Sequence, residues 1–447
     1  MRIVLTTIFS IMLLVIILSQ YRRTKDILSP MVFYCLLVAL RYIPGLLFFD
    51  RHMGIEINND IVYKVFIFQT VSVIMVLIGY SISQRVRIKG LRHRETVESC
   101  TVMYNYRIPL EVCGYILFVI GAIFGVLFLQ RSGGLQFILS SIKGINAGNG
   151  NSYIRALTFL MVVGICLVMK GRHDTHKWAI SVAVVLMYLF YAFIFVVQTS
   201  RSPVLEALMI IAMVYHYDIK RLHFSDIFRP KYIALALIVA IFVMAMPMLR
   251  TSSGFHGVSI LEILDSSAKS LSQIFEEFSY VARDGFIYNN YYGDRYWYGA
   301  NLINLCLAPI PSTMIGWKPP VDDGIYLANA VHGHFVKPPA TLDYLPWYNS
   351  FPMSTPGGMY INFGIIGLII GSIFIGYLYG KTYERLIRNG YDVVTVIVYQ
   401  LVIYQLELTS LSIVQTLTPI VVVLVFTRFL CGRRIKYDME KLGGSFE

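Results

Sequence analysis

Charged side chains are scarce in this sequence. Asp, Glu, Lys and Arg make up 14% of the 447 residues, whereas 56% are hydrophobic, and an ordinary soluble domain carries about 25% charged residues. This composition excludes a disordered chain, a coiled coil and a collagen-like fibre, and it argues against a soluble globular protein. A mean hydropathy of +0.63 over the whole chain instead indicates a polytopic membrane protein.

Several motifs that mark enzyme and metal sites are also missing. The sequence has no glycine-rich phosphate loop ending in Lys-Ser/Thr, no dinucleotide fingerprint, no Gly-x-Ser-x-Gly elbow and no His-Glu-x-x-His pair. The six cysteines form no Cys-x-x-Cys pair and no cluster with histidine. These absences argue against an ATP-driven pump, and they predict neither a cofactor nor a metal centre.

Long apolar runs recur along the chain. A helix needs about 20 mostly apolar residues to cross the hydrocarbon core of a membrane, and about eleven stretches meet this length. They lie near residues 3–20, 31–49, 61–82, 110–130, 154–170, 178–198, 203–217, 232–249, 359–380, 391–408 and 411–430. Because no alternating barrel pattern is present, these runs predict helices. The predicted fold is an all-α polytopic integral membrane protein with about 11 transmembrane helices.

Basic residues fall mainly in alternate loops. The 38 Lys and Arg exceed the 26 Asp and Glu and give a formal net charge of +12, an excess that needs no nucleic-acid partner if it fixes the topology. The basic loops are Arg22–Lys25, Arg85–Arg94, Lys170–Lys177, Lys220–Lys231, Lys381–Arg388 and Arg433–Lys436. By the positive-inside rule they are cytoplasmic, which places the C-terminus inside and the N-terminus outside.

One long segment between the apolar runs faces the external side in this topology. The predicted organisation is a bundle of about eight helices in 1–249, an external loop in 250–358, about three helices in 359–430 and a cytoplasmic tail in 431–447. A loop of this length is expected to be ordered. Apolar residues at helical spacing within 258–283 predict an amphipathic helix that ends at Gly285 and, in its simplest interpretation, lies on the bilayer surface.

A few basic residues break the charge pattern. Arg201 lies in a short external turn, and the external loop contains Arg250, Arg283, Arg295 and Lys318. The guanidinium fork matches the oxygens of phosphate and pyrophosphate, so the arginines are candidates for binding a lipid phosphate. The alternative is that these side chains are solvated or contact lipid headgroups.

Arg41 lies inside the second apolar run, between Leu40 and Tyr42. An arginine at the centre of a membrane costs about 2.5–3.5 kcal/mol on insertion scales, so it needs a partner. Glu206 and Glu407 are the carboxylates of the predicted spans that can pair with it. The pair either stabilises the bundle or lines a polar cavity.

The external loop also contains groups that can transfer protons, including Asp284, His332 and His334. The two histidines lack a third nearby metal ligand, so surface histidines or acid–base work are better interpretations than metal binding. Aromatic residues crowd the stretch 286–298. They form either an interfacial belt or a stacking surface for sugar rings.

Four short motifs follow one another in a characteristic order. They are Arg283-Asp284, Tyr296-Trp297-Tyr298-Gly299, Pro309-Ile310-Pro311-Ser312 with Trp317-Lys318-Pro319, and Gly357-Gly358-Met359-Tyr360-Ile361-Asn362-Phe363-Gly364-Ile365-Ile366-Gly367. With these motifs the chain resembles bacterial O-antigen or oligosaccharide repeat-unit polymerases of the Wzy type. Thr199-Ser200-Arg201 is similar to a turn that such proteins carry further upstream. The chain departs from the family pattern at Gly358, where an acid often stands, and at Ser312, where an arginine is common.

The resemblance implies a glycosyltransferase whose helical bundle is similar to that of GT-C membrane enzymes. Such an enzyme transfers a growing glycan from undecaprenyl pyrophosphate onto the nonreducing end of a new lipid-linked repeat unit. The reaction takes place on the external, periplasmic face of the bacterial cytoplasmic (inner) membrane. The implied partners are the lipid-linked oligosaccharide, membrane lipids, and a chain-length regulator and a flippase of the same pathway.

The resemblance and the residue chemistry together give the expected site residues. The expected catalytic residues are Arg201, Arg283, Asp284, His332 and His334. The expected substrate-binding residues are Arg41, Arg250, Arg295, Tyr296, Trp297, Lys318, Tyr360 and Asn362. The alternatives are an O-antigen ligase, a repeat-unit flippase or other transporter, and a membrane scaffold. The transporter is disfavoured because the sequence shows neither paired halves nor broken helices clearly.

Overall fold

The chain folds mainly into helices. The structure, a computed structural model, describes residues 1–92, 101–104, 108–132, 152–176, 180–196, 202–223, 278–311, 314–431 and 434–437, with short stretches of 225–242 and 275–276. It is 77% helical, which confirms the all-α class.

The helices vary widely in length. In chain order they are α1 (Arg2–Thr24), α2 (Pro30–Phe48), α3 (Asn59–Arg92), α4 (Leu110–Arg131), α5 (Ser152–Leu157), α6 (Leu160–His176), α7 (Val182–Val196), α8 (Ser202–Val214), α9 (Val281–Asn290), α10 (Asn301–Leu307), α11 (Asp323–Val331), α12 (Thr355–Arg388), α13 (Val393–Gln405) and α14 (Ser410–Cys431). A π-helical turn, Tyr215–Ile219, follows α8, and 3-10 turns occupy Gly293–Arg295 and Leu342–Tyr344.

Eight candidate membrane spans are found among the described residues, judged by length and composition. They are α1, α2, α3, α4, α5 with α6, α8 with its π-helical turn, α12 and α14, and α7 and α13 are shorter apolar helices. These helices support a polytopic membrane protein. A total near eleven stays a prediction, because most of the expected span 232–249 lies outside the described residues.

Two short antiparallel strand pairs accompany the helices. Strand β1 (Arg51–His52) pairs with β2 (Ile55–Glu56), and β3 (Thr101–Tyr104) pairs with β4 (Arg434–Tyr437). The turn between β1 and β2 has positive φ angles of 52° at Met53 and 80° at Gly54. Two successive positive φ values are the geometry that two-residue hairpins favour.

The chain forms two compact units. The first comprises Met1–Ile88, Ser272–Tyr383 and Val402–Leu417, and the second comprises Lys89–Leu271, Glu384–Leu401 and Thr418–Glu447. The second unit is centred on α4 and α6, where Gly121 and Gly164 allow a close approach. A Cβ atom on Gly121 would lie 2.6 Å from the backbone nitrogen of Met161, and one on Gly164 would lie 2.6 Å from the carbonyl oxygen of Gly114.

In the first unit, α3 and α12 approach each other through glycines. A Cβ atom on Gly79 would lie 2.0 Å from the carbonyl oxygen of Ile373, and one on Gly376 would lie 2.1 Å from that of Val76. Helices in membranes associate through van der Waals packing, so small residues at the crossing let the backbones come together. The two glycines therefore set the spacing of these helices.

We expect Gly79→Ala to destabilise the protein by roughly 1–3 kcal/mol, because the new methyl group meets a backbone atom that cannot rotate away. Gly316→Ala is the matched control, since nothing lies within 4 Å of a Cβ atom there. The midpoint of unfolding of the purified protein in detergent measures the effect. Equal midpoints for the two variants would show that the close crossing does not limit stability.

The described residues of the predicted external loop are folded rather than extended. They include α9, α10 and α11, and side chains such as Trp297 and Tyr326 are buried. The prediction that a helix stops at Gly285 is wrong, because α9 runs through this residue to Asn290. A Cβ atom on Gly285 would lie 2.3 Å from Cγ2 of Ile61, so this glycine allows α9 to pack against α3. Most of the expected amphipathic helix 258–283 lies outside the described residues.

Candidate functional site

Helix α9 buries two adjacent charged side chains. Arg283 is 2% exposed and Asp284 is fully buried. Side chains of α2 and α3, and Ser354 just before α12, form hydrogen bonds with Asp284. Because charged side chains are seldom buried without partners, their hydrogen bonds define what the pair can do.

One oxygen of Asp284 accepts three hydrogen bonds. The hydroxyl of Tyr42 donates to Oδ2 over 2.5 Å, the hydroxyl of Ser354 over 2.7 Å, and the amide of Gln69 over 3.0 Å. The other oxygen, Oδ1, has no hydrogen-bond partner among the described residues. A Cβ atom on Gly357 would lie 2.4 Å from Oδ1, so the glycine leaves room for this oxygen.

Burial raises the pKa of Asp284 to about 6, although the hydrogen bonds from Tyr42 and Ser354 act against the shift. Desolvation disfavours the charged form of a carboxyl group, whereas donors to it favour that form. A carboxyl group with such a pKa exchanges its proton close to neutral pH. Together with the free acceptor Oδ1, this allows Asp284 to act as a general base.

Arg283 is held by carbonyl oxygens and an aromatic ring. Its Nη1 donates to the carbonyl oxygen of Pro352 over 3.1 Å, and its guanidinium carbon lies 4.3 Å from the ring centre of Tyr280. Burial lowers its pKa, but a guanidinium group stays charged in proteins. Burial, and then the charge of Arg283, lower the pKa of His52 to about 4, so that imidazole is neutral at neutral pH.

Arg41 approaches the same ring from α2. Its guanidinium carbon lies 5.0 Å from the ring centre of Tyr280, and its Nη1 forms an ion pair with Glu407. The other oxygen of Glu407 accepts hydrogen bonds from the backbone nitrogen (2.7 Å) and the hydroxyl (2.5 Å) of Thr355. The expectation of a carboxylate partner for Arg41 is thus confirmed. We call Arg41, Tyr280, Arg283, Asp284 and Glu407 the arginine–carboxylate cluster.

Helix α12 is interrupted near its beginning. Phe363 has φ −137° and ψ 18°, and Gly364 has φ 61° and ψ −148°. The second combination is essentially restricted to glycine. An interruption of this kind frees carbonyl groups from helical hydrogen bonding, and freed groups need other donors if they lie within the membrane.

The Tyr-Trp-Tyr-Gly motif supplies these donors. The backbone nitrogen of Trp297 donates to the carbonyl oxygen of Ile361 over 3.0 Å, and that of Tyr298 to the carbonyl oxygen of Asn362 over 3.1 Å. The side chain of Asn362 adds a third contact, because its Oδ1 accepts from the nitrogen of Gly299 over 2.9 Å. Two motifs that lie about sixty residues apart in the sequence therefore pack together.

Aromatic rings connect this packing to Asp284. The rings of Tyr296 and Tyr360 are 6.2 Å apart, and those of Tyr360 and Tyr288 are 5.0 Å apart. Gln69 donates to the hydroxyl of Tyr288 over 3.1 Å and to Asp284 over 3.0 Å. Expected binding residues and an expected catalytic residue thus belong to one connected set of contacts.

The two candidate histidines lie on the surface. His332 and His334 are both exposed, and the imidazole of His332 stacks edge-on against Trp347 with ring centres 3.9 Å apart. Among the contacts formed by described residues, neither side chain reaches the arginine–carboxylate cluster. Asp284 is therefore the better placed of the three expected bases.

Lys318 and Arg295 have other local partners. The ammonium group of Lys318 donates to the carbonyl oxygens of Ala308 (3.0 Å) and Ile310 (2.5 Å), where it caps the chain after α10. The exposed guanidinium of Arg295 lies 4.3 Å from the ring centre of Phe335. Both are outside the cluster as the described contacts define it.

The expected residues Arg201 and Arg250 lie outside the described residues. Sequence reasoning did not single out Tyr42, Gln69 or Ser354, which are brought to Asp284 by contacts between distant parts of the chain. Gln69 did carry a signal, because it is an amide within the apolar run 61–82. A polar residue in a predicted span is a functional hypothesis by default.

The described part of the chain is a helical membrane protein with a cluster of two arginines and two carboxyl groups, of which Arg283 and Asp284 are buried. Comparisons of the chain with protein-family models, with curated proteins and with solved structures give no match. The resemblance to repeat-unit polymerases therefore stays a prediction.

Proposed function

We propose that this protein is a membrane glycosyltransferase that joins undecaprenyl-pyrophosphate-linked oligosaccharide units into O-antigen or a related surface polysaccharide. The observation that carries the proposal is the arginine–carboxylate cluster, in which two guanidinium groups flank one tyrosine ring beside a buried carboxyl group. In this proposal the reaction occurs on the external face of the bacterial inner membrane. A chain-length regulator and a flippase are its proposed partners.

The arginines supply the positive charge that this reaction needs. When the bond between the anomeric carbon and the lipid pyrophosphate breaks, its electron pair passes to the leaving phosphate oxygen. Fixed guanidinium groups in a poorly hydrated site stabilise that charge most strongly in the transition state. The side chain of Arg41 is 20% exposed, so we assign direct phosphate contact to Arg41. Arg283 is almost fully buried, so in this proposal it does not touch the phosphate but adds to the positive potential at the phosphate that Arg41 binds.

Asp284 is the proposed general base. The acceptor hydroxyl attacks the anomeric carbon and passes its proton to Oδ1, while Tyr42, Gln69 and Ser354 hold Oδ2. In the structure Ser354 and Gly357 cover the carboxyl group. Substrate therefore reaches Oδ1 only when Ser354 and the first turn of α12, which contains Gly357, move aside, as the covers of many enzyme sites do.

A transporter is the second candidate function, and the interruption of α12 at Gly364 favours it. Many transporters bind their cargo where a membrane helix is broken. The carbonyl groups of Ile361 and Asn362, just before this break, are however already paired with Trp297 and Tyr298. That pairing leaves fewer free carbonyl groups for a cargo and favours the enzyme.

Deletion of the gene, followed by gel analysis of the surface glycan, tests the proposal. We expect long chains to disappear while a single repeat unit stays on the acceptor. Loss of every repeat unit would contradict the proposal and favour a ligase or a flippase, and an unchanged ladder would favour a scaffold. Complementation with the wild-type gene is the control.

A paired substitution separates a structural role of Arg41 from phosphate binding. Arg41→Gln alone leaves Glu407 without its ion-pair partner and is expected to cost about 3 kcal/mol. Arg41→Gln combined with Glu407→Gln removes both charges, so we expect most of the stability to return without any chain extension. Unfolding midpoints and glycan gels measure the two effects. Normal glycan in the double variant would show that the pair is only structural.

A further inference from the structure

Two faces of α10 and α11 form a buried polar interface away from the arginine–carboxylate cluster. Asn301 and Asn304 lie one turn apart on α10, and Asp323 and Tyr326 lie one turn apart on α11. Their exposed fractions are 4%, 0%, 1% and 0%, respectively. Hydrogen bonds connect the two faces: Asn301 donates to Asp323 over 3.1 Å, and Asn304 donates to the hydroxyl of Tyr326 over 3.2 Å.

The hydrogen bonds fix which way both amides point. Nδ2 of Asn301 has two acceptors, Oδ2 of Asp323 and Oγ of Ser410, the latter at 3.2 Å. Nδ2 of Asn304 also has two, the hydroxyl of Tyr326 and, at 3.1 Å, the carbonyl oxygen of Pro320. A carbonyl oxygen can only accept, so Asn304 cannot be flipped without losing that bond.

Three acceptor oxygens of the interface are left over. Oδ1 of Asn301, Oδ1 of Asn304 and Oδ1 of Asp323 are buried and have no hydrogen-bond partner among the described residues. The nearby hydroxyl protons are already committed, since Ser410 donates to the carbonyl oxygen of Asn301 and Tyr326 donates to that of Ala340. Buried acceptors without partners are costly and call for a missing donor or cation.

The charge of Asp323 is also unbalanced. No Lys, Arg or His of the described residues lies within 4.0 Å of its carboxylate, whose partners are the neutral amide of Asn301 and the backbone nitrogen and hydroxyl of Ser410. A buried carboxylate in this position needs a compensating positive charge.

We propose that this interface binds a monovalent cation of the sodium class through Asp323 Oδ1 and the amide oxygens of Asn301 and Asn304. Hard cations prefer such oxygen ligands, and one carboxylate matches a single positive charge, whereas divalent sites in proteins commonly use more than one. A water molecule has only two hydrogens for three acceptors and brings no charge. No sequence motif reveals the site, because its ligands come from two helices and include two amides.

By binding Asp323, the cation would stabilise the first residue of α14 in its position. The backbone nitrogen of Ser410, the first residue of α14, donates to Asp323 Oδ2 over 2.6 Å. The backbone nitrogen of Glu407 in turn donates to the hydroxyl of Ser412 over 2.7 Å. Cation binding therefore supports the turn that presents Glu407 to Arg41, and it does so whatever reaction the protein performs.

Thermal unfolding of the purified full-length chain tests the site, with NaCl compared against choline chloride at equal ionic strength and pH 8. We expect sodium to raise the midpoint temperature by roughly 2–4 °C, with a dependence on sodium concentration. Asp323→Asn is expected to abolish the sodium response. Asp322→Asn is the matched control, because it removes the neighbouring charge, keeps a residue type that caps α11, and should retain the response.

Each other result would overturn the proposal. Equal midpoints in sodium and choline would mean that a proton or a water molecule satisfies Asp323. A response confined to Ca²⁺ would contradict the assignment to a monovalent cation. A sodium response that persists in Asp323→Asn would place the bound ion elsewhere.

Discussion

Replacing Asp284 by asparagine is expected to slow chain extension at least ~100-fold while the protein stays folded. An asparagine oxygen can accept the hydrogen bonds that Tyr42, Gln69 and Ser354 donate to Oδ2. The amide nitrogen, which would replace Oδ1, cannot accept a proton from the attacking hydroxyl. Transfer of labelled repeat units by membranes that contain the variant measures the rate. Asp343→Asn, at an exposed position, is the control.

The same carboxyl group predicts a direction for the pH dependence. Asp284 has a pKa of about 6, so the ionised base is present above that pH and the wild-type rate should fall as the pH drops below it.

The raised pKa of Asp284 also means that the folded protein binds the proton more tightly than the unfolded chain. This stabilisation is present at low pH and lost as the pH rises through about 6. The wild type should therefore lose stability relative to Asp284→Asn as the pH rises from about 4 to about 6.

Two measurements together decide between a catalytic and a structural Asp284. A catalytic base requires low activity and an undiminished unfolding midpoint in Asp284→Asn. If the midpoint at pH 8 falls well below that of wild type, the carboxylate serves mainly to hold α2, α3 and α9 together. If the variant extends chains at the wild-type rate, Asp284 is not the base.

Local patterns in the sequence predicted the parts of the cluster that depend on single residues. An arginine in an apolar run requires a partner, and the choice between Glu206 and Glu407 could be resolved only by the structure, which pairs Arg41 with Glu407. Arg283 and Asp284 were selected from their motif. The partners of Asp284 were not predictable, because Tyr42 and Gln69 lie more than two hundred positions away in the sequence.

Glycines explain two differences between the helices predicted from the sequence and those in the structure. Gly285 was expected to end a helix, yet it lies within α9 at a close contact with Ile61. Gly364 was expected to lie in a continuous span, yet it interrupts α12. A glycine can end a helix, allow close packing or permit an unusual backbone conformation. Only the neighbouring atoms in the folded protein decide among these roles.

The interruption at Gly364 leads to the second large expected effect. Gly364→Ala should abolish chain extension and destabilise the protein by about 1–3 kcal/mol through backbone strain alone. The new methyl group would also lie 2.8 Å from the hydroxyl oxygen of Tyr296. It would push the Tyr-Trp-Tyr-Gly motif away from the carbonyl groups of α12 with which it pairs.

Gly390→Ala separates strain from displacement of the motif. Gly390 also has a positive φ, 64°, but nothing lies within 4 Å of a Cβ atom there, so this variant reports the cost of a left-handed alanine alone. Because the ψ of −148° at Gly364 is more restricted to glycine than an ordinary left-handed conformation, recovery by a second substitution is the decisive result. Adding Tyr296→Phe should then restore part of the stability, because the hydroxyl that meets the methyl group is gone. Equal behaviour of the two alanine variants would mean that the docking contributes nothing beyond backbone geometry.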